Sequence, residues 1–271
     1  MPVARRGNLM VAPSRRCALV TGSSGGLGYA MAESLAAAGH DIVLHGIDEP
    51  ATVRPAQTAL QSRHGVTVVY CQADLSELAG IERLMTFTRE AMGDPDIIVN
   101  NAVVRHFAPI EQFSPADWQR SLAVNLTAPF HIVRLALPAM RAADFGRIVN
   151  MSSHYGQRGA EGRVDYVTTK TGILGLTRAV ALETAGTGIT CNAVSPGTLP
   201  TPAILGRIDA MASARGISRE DATREYMKQR QPSGRFVRLE DVGAAVAFLC
   251  GPAARDITGT VIPIDGGWSA A

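Results

Sequence analysis

The sequence predicts an α/β protein: a single domain on a doubly wound parallel sheet of about seven strands, with helices on both faces. Three observations predict it. From Arg16 onward, short runs rich in β-branched residues alternate with longer stretches of helical period. Those runs are apolar at nearly every position, the pattern of strands buried on both faces. The chain between them is long enough for crossover helices, and right-handed crossovers turn such units into a doubly wound layer.

In order, the expected strands are Cys17 to Thr21, Asp41 to His45, Val66 to Gln72, Asp96 to Asn100, Gly146 to Ser152, Ile189 to Ser195 and Thr260 to Asp265. Segments such as "GYAMAESLAAAG" and "GIERLMTFTREAMG" supply the helices. There is no internal repeat, low-complexity segment or linker. The stretch from about Pro200 to Pro232 breaks the rhythm, with helices expected near Pro202 to Ala214 and Ser218 to Gln229. An insertion of this kind is either a lid over a site or a plain helical pair. Residues 1–15 are arginine-rich and acid-free, without the apolar segment of a secretory signal. They are expected to be a disordered tail ahead of a domain over 16–271, with a short organellar targeting segment as the alternative.

Composition narrows the function classes. At 46% hydrophobic and 18% charged, the 271 residues can bury a substantial core. A net charge of +2 with no long basic run argues against a nucleic-acid or membrane surface. No apolar run reaches the roughly 20 residues of a bilayer span. Cys17, Cys71, Cys191 and Cys250 are widely spaced in apolar stretches, which suits free thiols in a reducing, cytoplasmic setting. The six histidines show no ligand spacing, so no metal is expected.

"LVTGSSGGLGYA" joins the first strand to the first helix. Its TGxxxGxG spacing, through Gly22, Gly26 and Gly28, permits a tight turn and close approach of a diphosphate, held at the helix N-terminus. A dinucleotide-binding, Rossmann-type domain follows. At the end of the second strand the chain reads "HGIDEP", with Asp48 where a ribose hydroxyl would be accepted and no cation before Arg54. That favours NAD over NADP.

Of 26 basic residues only Lys170 and Lys228 are lysines, leaving 24 arginines. Lys170 follows Tyr166 by one helical turn, which places both on one face. Tyrosine titrates near pH ~10, and a neighbouring ammonium favours its phenolate. Taken alone, Tyr-x-x-x-Lys is a weak motif.

Its company makes it specific. The glycine loop, "ADL" at Asp74, "NNA" at Asn100 to Ala102, "AVNLTAPF" with Asn125, "IVNMSS" with Ser153, "YVTTK", "SPGTLPT" and "IDGGW" occur in one order. From Arg16 onward the chain resembles the short-chain dehydrogenase/reductase family. The resemblance implies reversible hydride transfer between nicotinamide and a secondary alcohol or ketone. It implies Ser153, Tyr166, Lys170 and Asn125 as catalytic, with Ser152 ranked second to Ser153 and Asn125 holding a water that links the lysine to solvent. It implies cofactor contacts from Gly22, Ser24, Gly26, Leu27, Gly28, Asp48, Asp74, Leu75, Asn101, Ala102, Tyr166, Lys170, Pro196, Gly197 and Thr201. The family's NNAG is NNAV here, so Val103 predicts an altered loop path. A homo-oligomer, a tetramer in this family, is expected from the alanine- and leucine-rich helices around 114–142 and 166–186.

Within the family, "ETAGTGITCNAVSPG", "KQRQPSGRFVRLEDVGAAVAFLC" and "IDGGW" look most like the 3-hydroxybutyrate dehydrogenases. Where those enzymes hold a small carboxylate with Gln, His, Lys and Trp, this chain has Arg105, Tyr155, Arg163 and Thr198. Two arginines suggest an anionic group, and Thr198 leaves room for a hydroxy acid bulkier than 3-hydroxybutyrate. The arginines could instead lie at a cleft rim. A neutral sugar or cyclic alcohol is the alternative substrate, and a non-catalytic dinucleotide-binding protein the alternative class.

Overall fold

A computed structural model describes residues 15–228 and 230–271. The tail expected over 1–15 therefore falls, apart from Arg15, outside the described residues. The strands are β1 (Cys17–Val20), β2 (Asp41–Gly46), β3 (Val68–Gln72), β4 (Ile97–Asn100), β5 (Gly146–Met151), β6 (Ile189–Pro196) and β7 (Val261–Ile264). They form one parallel sheet in the order β3-β2-β1-β4-β5-β6-β7. The order reverses between β1 and β4, and at such a switch point the carboxyl ends of the strands leave a crevice.

The helices are α1 (Gly26–Ala37), α2 (Pro50–His64), α3 (Leu78–Met92), α4 (Pro115–Leu122), α5 (Ala128–Ala142), α6 (Val164–Glu183), α7 (Pro202–Arg215), α8 (Arg219–Lys228) and α9 (Leu239–Cys250). Alternate strand residues feed two cores. Ala18, Val20, Ile97 and Val99 pack with Met31 and Leu35 of α1, Leu60 of α2 and Val246 of α9. Leu19 and Ile98 point the other way, onto Leu84 of α3, Ile132 and Ala136 of α5 and Val180 of α6. Both faces are apolar because both are covered.

α4 and α5 form one rod, Pro115–Ala142, interrupted by a single widened turn at Ala123–Thr127. By length and composition this rod could cross a bilayer. Here it lies along the sheet, with Ile132, Val133 and Ala136 buried in the core. α7 and α8 sit where the two inserted helices are expected. Each end lies within a residue of expectation, although Gln229 falls outside the described residues.

Candidate active site

The glycine loop sits at the switch point. Gly22 and Gly26 take φ values of +62° and +56°, left-handed backbone that favours glycine. A Cβ on Gly28 would overlap the Gly22 carbonyl oxygen and come within 2.7 Å of Asn101 Nδ2. The loop is tied to the β4 end: Thr21 Oγ1 accepts from the N–H groups of Asn101 at 2.9 Å and Ala102 at 3.0 Å. Asn101 Nδ2 donates back to the carbonyls of Thr21 and Gly22, both at 2.9 Å. The first turn of α1 has no side-chain cap and no acidic residue. Its unclaimed N–H groups and positive dipole end suit a diphosphate, so the residues fit a dinucleotide.

At the end of β2, Ser24 Oγ donates to Asp48 Oδ2 at 2.6 Å, and Tyr70 donates to the Asp48 carbonyl at 2.7 Å. Asp74 is turned to the Ser76 N–H at 2.9 Å, which, with Arg120, holds its carboxyl below the usual range. Leu75 is 4% exposed and its side chain is core, so only its backbone could face a nucleotide.

Tyr166 and Lys170 share one face of α6. Lys170 Nζ lies 5.7 Å from the Tyr166 ring centroid and donates to the Met151 carbonyl at 2.6 Å. Burial, reinforced by Arg105, pushes this ammonium down to about 7. Ser153 follows β5 and lines the same space, its Oγ accepting from the Tyr155 N–H at 3.3 Å. Ser152 Oγ donates to the Lys170 carbonyl at 2.9 Å and so braces α6.

Asn125 lies in the widened turn, and its side chain bonds the loop after β4 and α6. Oδ1 accepts from the Val104 N–H at 2.9 Å, while Nδ2 donates to the Val104 carbonyl at 3.0 Å and to Thr169 Oγ1 at 3.3 Å. It clips the loop after β4 to the helix, while Lys170 Nζ bonds the Met151 carbonyl. Among the described residues only Asp144 combines a side chain with positive φ. Val103 therefore takes the ordinary negative-φ backbone that a β-branched residue favours.

Two adjoining cavities of about 60 and 100 Å³ share Arg105, Ser153, Tyr166, Gly197 and Leu199. The smaller also reaches Leu27, Asn101, Lys170 and Pro196. The larger is walled by Tyr155, Arg163, Thr198 and Thr201, which are expected, and by Ile204, Tyr226, Arg230 and Trp268, which are not. The Arg105 and Arg163 guanidiniums lie 5.1 and 5.7 Å from the Tyr166 ring centroid. Burial lowers Arg163 from its usual value; Arg105 and Arg207 add to this, and Tyr155 and Tyr166 oppose it.

Three buried anchors escape the sequence reading. His45 accepts the Gly22 N–H at Nδ1 (3.1 Å) while Nε2 faces the Ala73 carbonyl at 3.0 Å. Burial pushes it down to about 4, so the neutral ring pins the glycine loop. Asp165, fully buried, accepts from Ser121 Oγ at 2.7 Å, the His106 N–H at 3.3 Å and the Tyr166 N–H at 2.6 Å. Gln231 accepts the Thr198 N–H and donates to the Arg235 carbonyl.

Comparison with known proteins decides the family. A family model described as enoyl-(acyl carrier protein) reductase matches residues 22–269. The chain is 43% identical over 255 residues to D-beta-hydroxybutyrate dehydrogenase of Cupriavidus necator, covering 94% of this chain and 98% of that protein. This protein belongs to the short-chain dehydrogenase/reductase family. Another member, D-beta-hydroxybutyrate dehydrogenase of Rhizobium meliloti, is 38% identical over 255 residues, covering 94% of this chain and 99% of that protein. Among solved structures of the family, L-sorbose reductase from Gluconobacter frateurii, complexed with NADPH and L-sorbose, superposes with a TM-score of 0.89. It is 26% identical and covers 95% of this chain and 98% of that one. As a short-chain dehydrogenase/reductase, the chain is an NAD(P)-dependent oxidoreductase acting on hydroxyl or keto groups.

Proposed function

We propose that this dehydrogenase oxidises a hydroxy acid related to but bulkier than 3-hydroxybutyrate with NAD, using Ser153, Tyr166 and Lys170. The observation that carries the reading is the pair of guanidiniums, Arg105 and Arg163, beside the Tyr166 ring in a space also bounded by Ser153. Guanidinium pairs with carboxylate in a bidentate manner, which orients an acid's neighbouring carbinol towards the phenol. The similarity to D-beta-hydroxybutyrate dehydrogenases supports the same class.

The glycine-loop residues, Asp48, Asn101, Ala102 and the Pro196 to Thr201 loop would hold the dinucleotide, which supplies or takes up the hydride when bound. In oxidation, Tyr166 takes the proton from the carbinol oxygen, and Ser153 donates a hydrogen bond to that oxygen. The Lys170 charge stabilises the phenolate form of Tyr166 between turnovers. Asn125, in the widened turn of the α4–α5 rod, would hold the water that links Lys170 to solvent. Asp48 favours NAD, because its carboxylate would repel a 2′-phosphate.

α7 and α8 act as the lid, since Ile204 and Tyr226 wall the cavity. Exposed Phe130 on α5 and Leu182 on α6 support a homo-oligomer, a tetramer in our reading, checked by light scattering. All four cysteines are buried free thiols, in keeping with the cytoplasm. Tyr166→Phe tests the chemistry: turnover is expected to fall at least about 100-fold with NADH binding retained. Unchanged turnover would remove Tyr166 from the mechanism.

A further inference from the structure

The larger cavity holds more positive charge than one carboxylate can balance. Arg105, Arg163 and Arg230 all border it, and no aspartate or glutamate does. Among the described residues none of the three has a carboxylate within 4.0 Å. Neighbouring arginines of the inserted helices behave differently: Arg215 pairs with Glu225, Arg219 with Asp209 and Arg224 with Glu220. Carboxylates are therefore at hand in this region, but none is spent on the cavity.

Arg230 is also held in place. Its Cζ lies 3.8 Å over the Tyr226 ring centroid, and its Nη1 donates to the Tyr226 carbonyl at 3.0 Å. A guanidinium held over a ring face, with one nitrogen bonded to a carbonyl, keeps its remaining donors for a planar acceptor. Its neighbour Gln231, 1% exposed, accepts the Thr198 N–H and fixes this segment to the loop beside Tyr166. The Arg163 Cζ likewise lies over a ring, 4.0 Å from the Phe107 centroid. Converged like charges in a partly desolvated site favour an anionic ligand that relieves them.

We propose that the substrate is a short hydroxy dicarboxylate, with one acid group at Arg105 and Arg163 and the second at Arg230. This rests on the hydroxy-acid reading above and narrows it. A cavity of about 100 Å³ admits a short chain between the two groups and is far below the size that bulky acyl carriers need.

The test compares malate and 3-hydroxyglutarate with their distal monomethyl esters, which keep the carbon chain and add one methyl but lose the distal charge, and with 3-hydroxybutyrate. The better diacid is expected to exceed its ester in kcat/KM by roughly 10- to 100-fold, the worth of a charged hydrogen-bonded contact. In Arg230→Gln that ratio is expected to collapse towards one, with Arg230→Lys recovering part of it through KM. Diacid and ester turned over equally well by the wild type would overturn the dicarboxylate proposal and leave the hydroxy-acid reading standing. A high ratio that survives Arg230→Gln would overturn the assignment to Arg230. Turnover of neutral ketoses or cyclic alcohols alone, with every hydroxy acid inert, would overturn the underlying reading itself.

Discussion

The Lys170 ammonium donates to the Met151 carbonyl at 2.6 Å, and among the described residues no carboxylate lies within 4.0 Å of it. Its titration is displaced downward, mainly by burial, from 10.5 to about 7. Between those values the unfolded chain binds a proton that the folded one has released, so stability rises with pH across that window. Below about 7 both states are charged and the penalty of burial is felt in full. The melting temperature of cofactor-free wild type, measured relative to Lys170→Met, should climb from neutral to alkaline pH. A flat difference would show that the lysine titrates as it does in water.

Gly28→Ala forces a methyl against the Gly22 carbonyl oxygen and the Asn101 amide. The expected loss is about 1–3 kcal/mol, together with weakened NADH binding, because the loop must move. Denaturant melts and cofactor fluorescence read the two effects separately.

Asp48 governs the choice of dinucleotide in our reading. Asp48→Arg removes the Ser24 contact and offers a cation to a 2′-phosphate. The NAD-to-NADP ratio of kcat/KM should fall about 10-fold or more, equivalent to about 1.4 kcal/mol. An unchanged ratio measured by paired initial rates would place the determinant elsewhere.

Asp165 gathers donors from α4, from the loop after β4 and from its own helix start. Asp165→Ala strands them in the interior and should cost about 3–5 kcal/mol, whereas Ser121→Ala, losing one bond, should cost about 1 kcal/mol. Equal thermal shifts for the two variants would contradict a carboxylate-centred hub.

Features set by near neighbours are legible in the sequence. Strands covered on both faces show as unbroken apolar runs, and the glycine loop shows because left-handed turns and close packing are local demands. The edges blur where a side chain intervenes: β3 begins at Val68, and the Thr67 N–H goes instead to Asp41 Oδ1 at 2.7 Å. Tyr166 and Lys170 are legible as one helical turn. His45, Asp165 and Gln231 are not, because their partners lie 28, 44 and 33 positions away and only the fold brings them close. Asn125 is legible as a position but not in its bonds, since its partners Val104 and Thr169 lie 21 and 44 positions away. Arg230 and Trp268 reach the cavity from the turn beyond α8 and from the C-terminal segment, distances that no local pattern encodes.

The four sulfhydryls lie in strands and helix ends on both sides of the sheet, and burial raises those of Cys17, Cys191 and Cys250 to about 12. While the domain stays closed, an alkylating reagent finds almost no nucleophile to capture. The rate at which such a reagent is consumed thus becomes a clock for breathing of the interior, with no label or added tryptophan required.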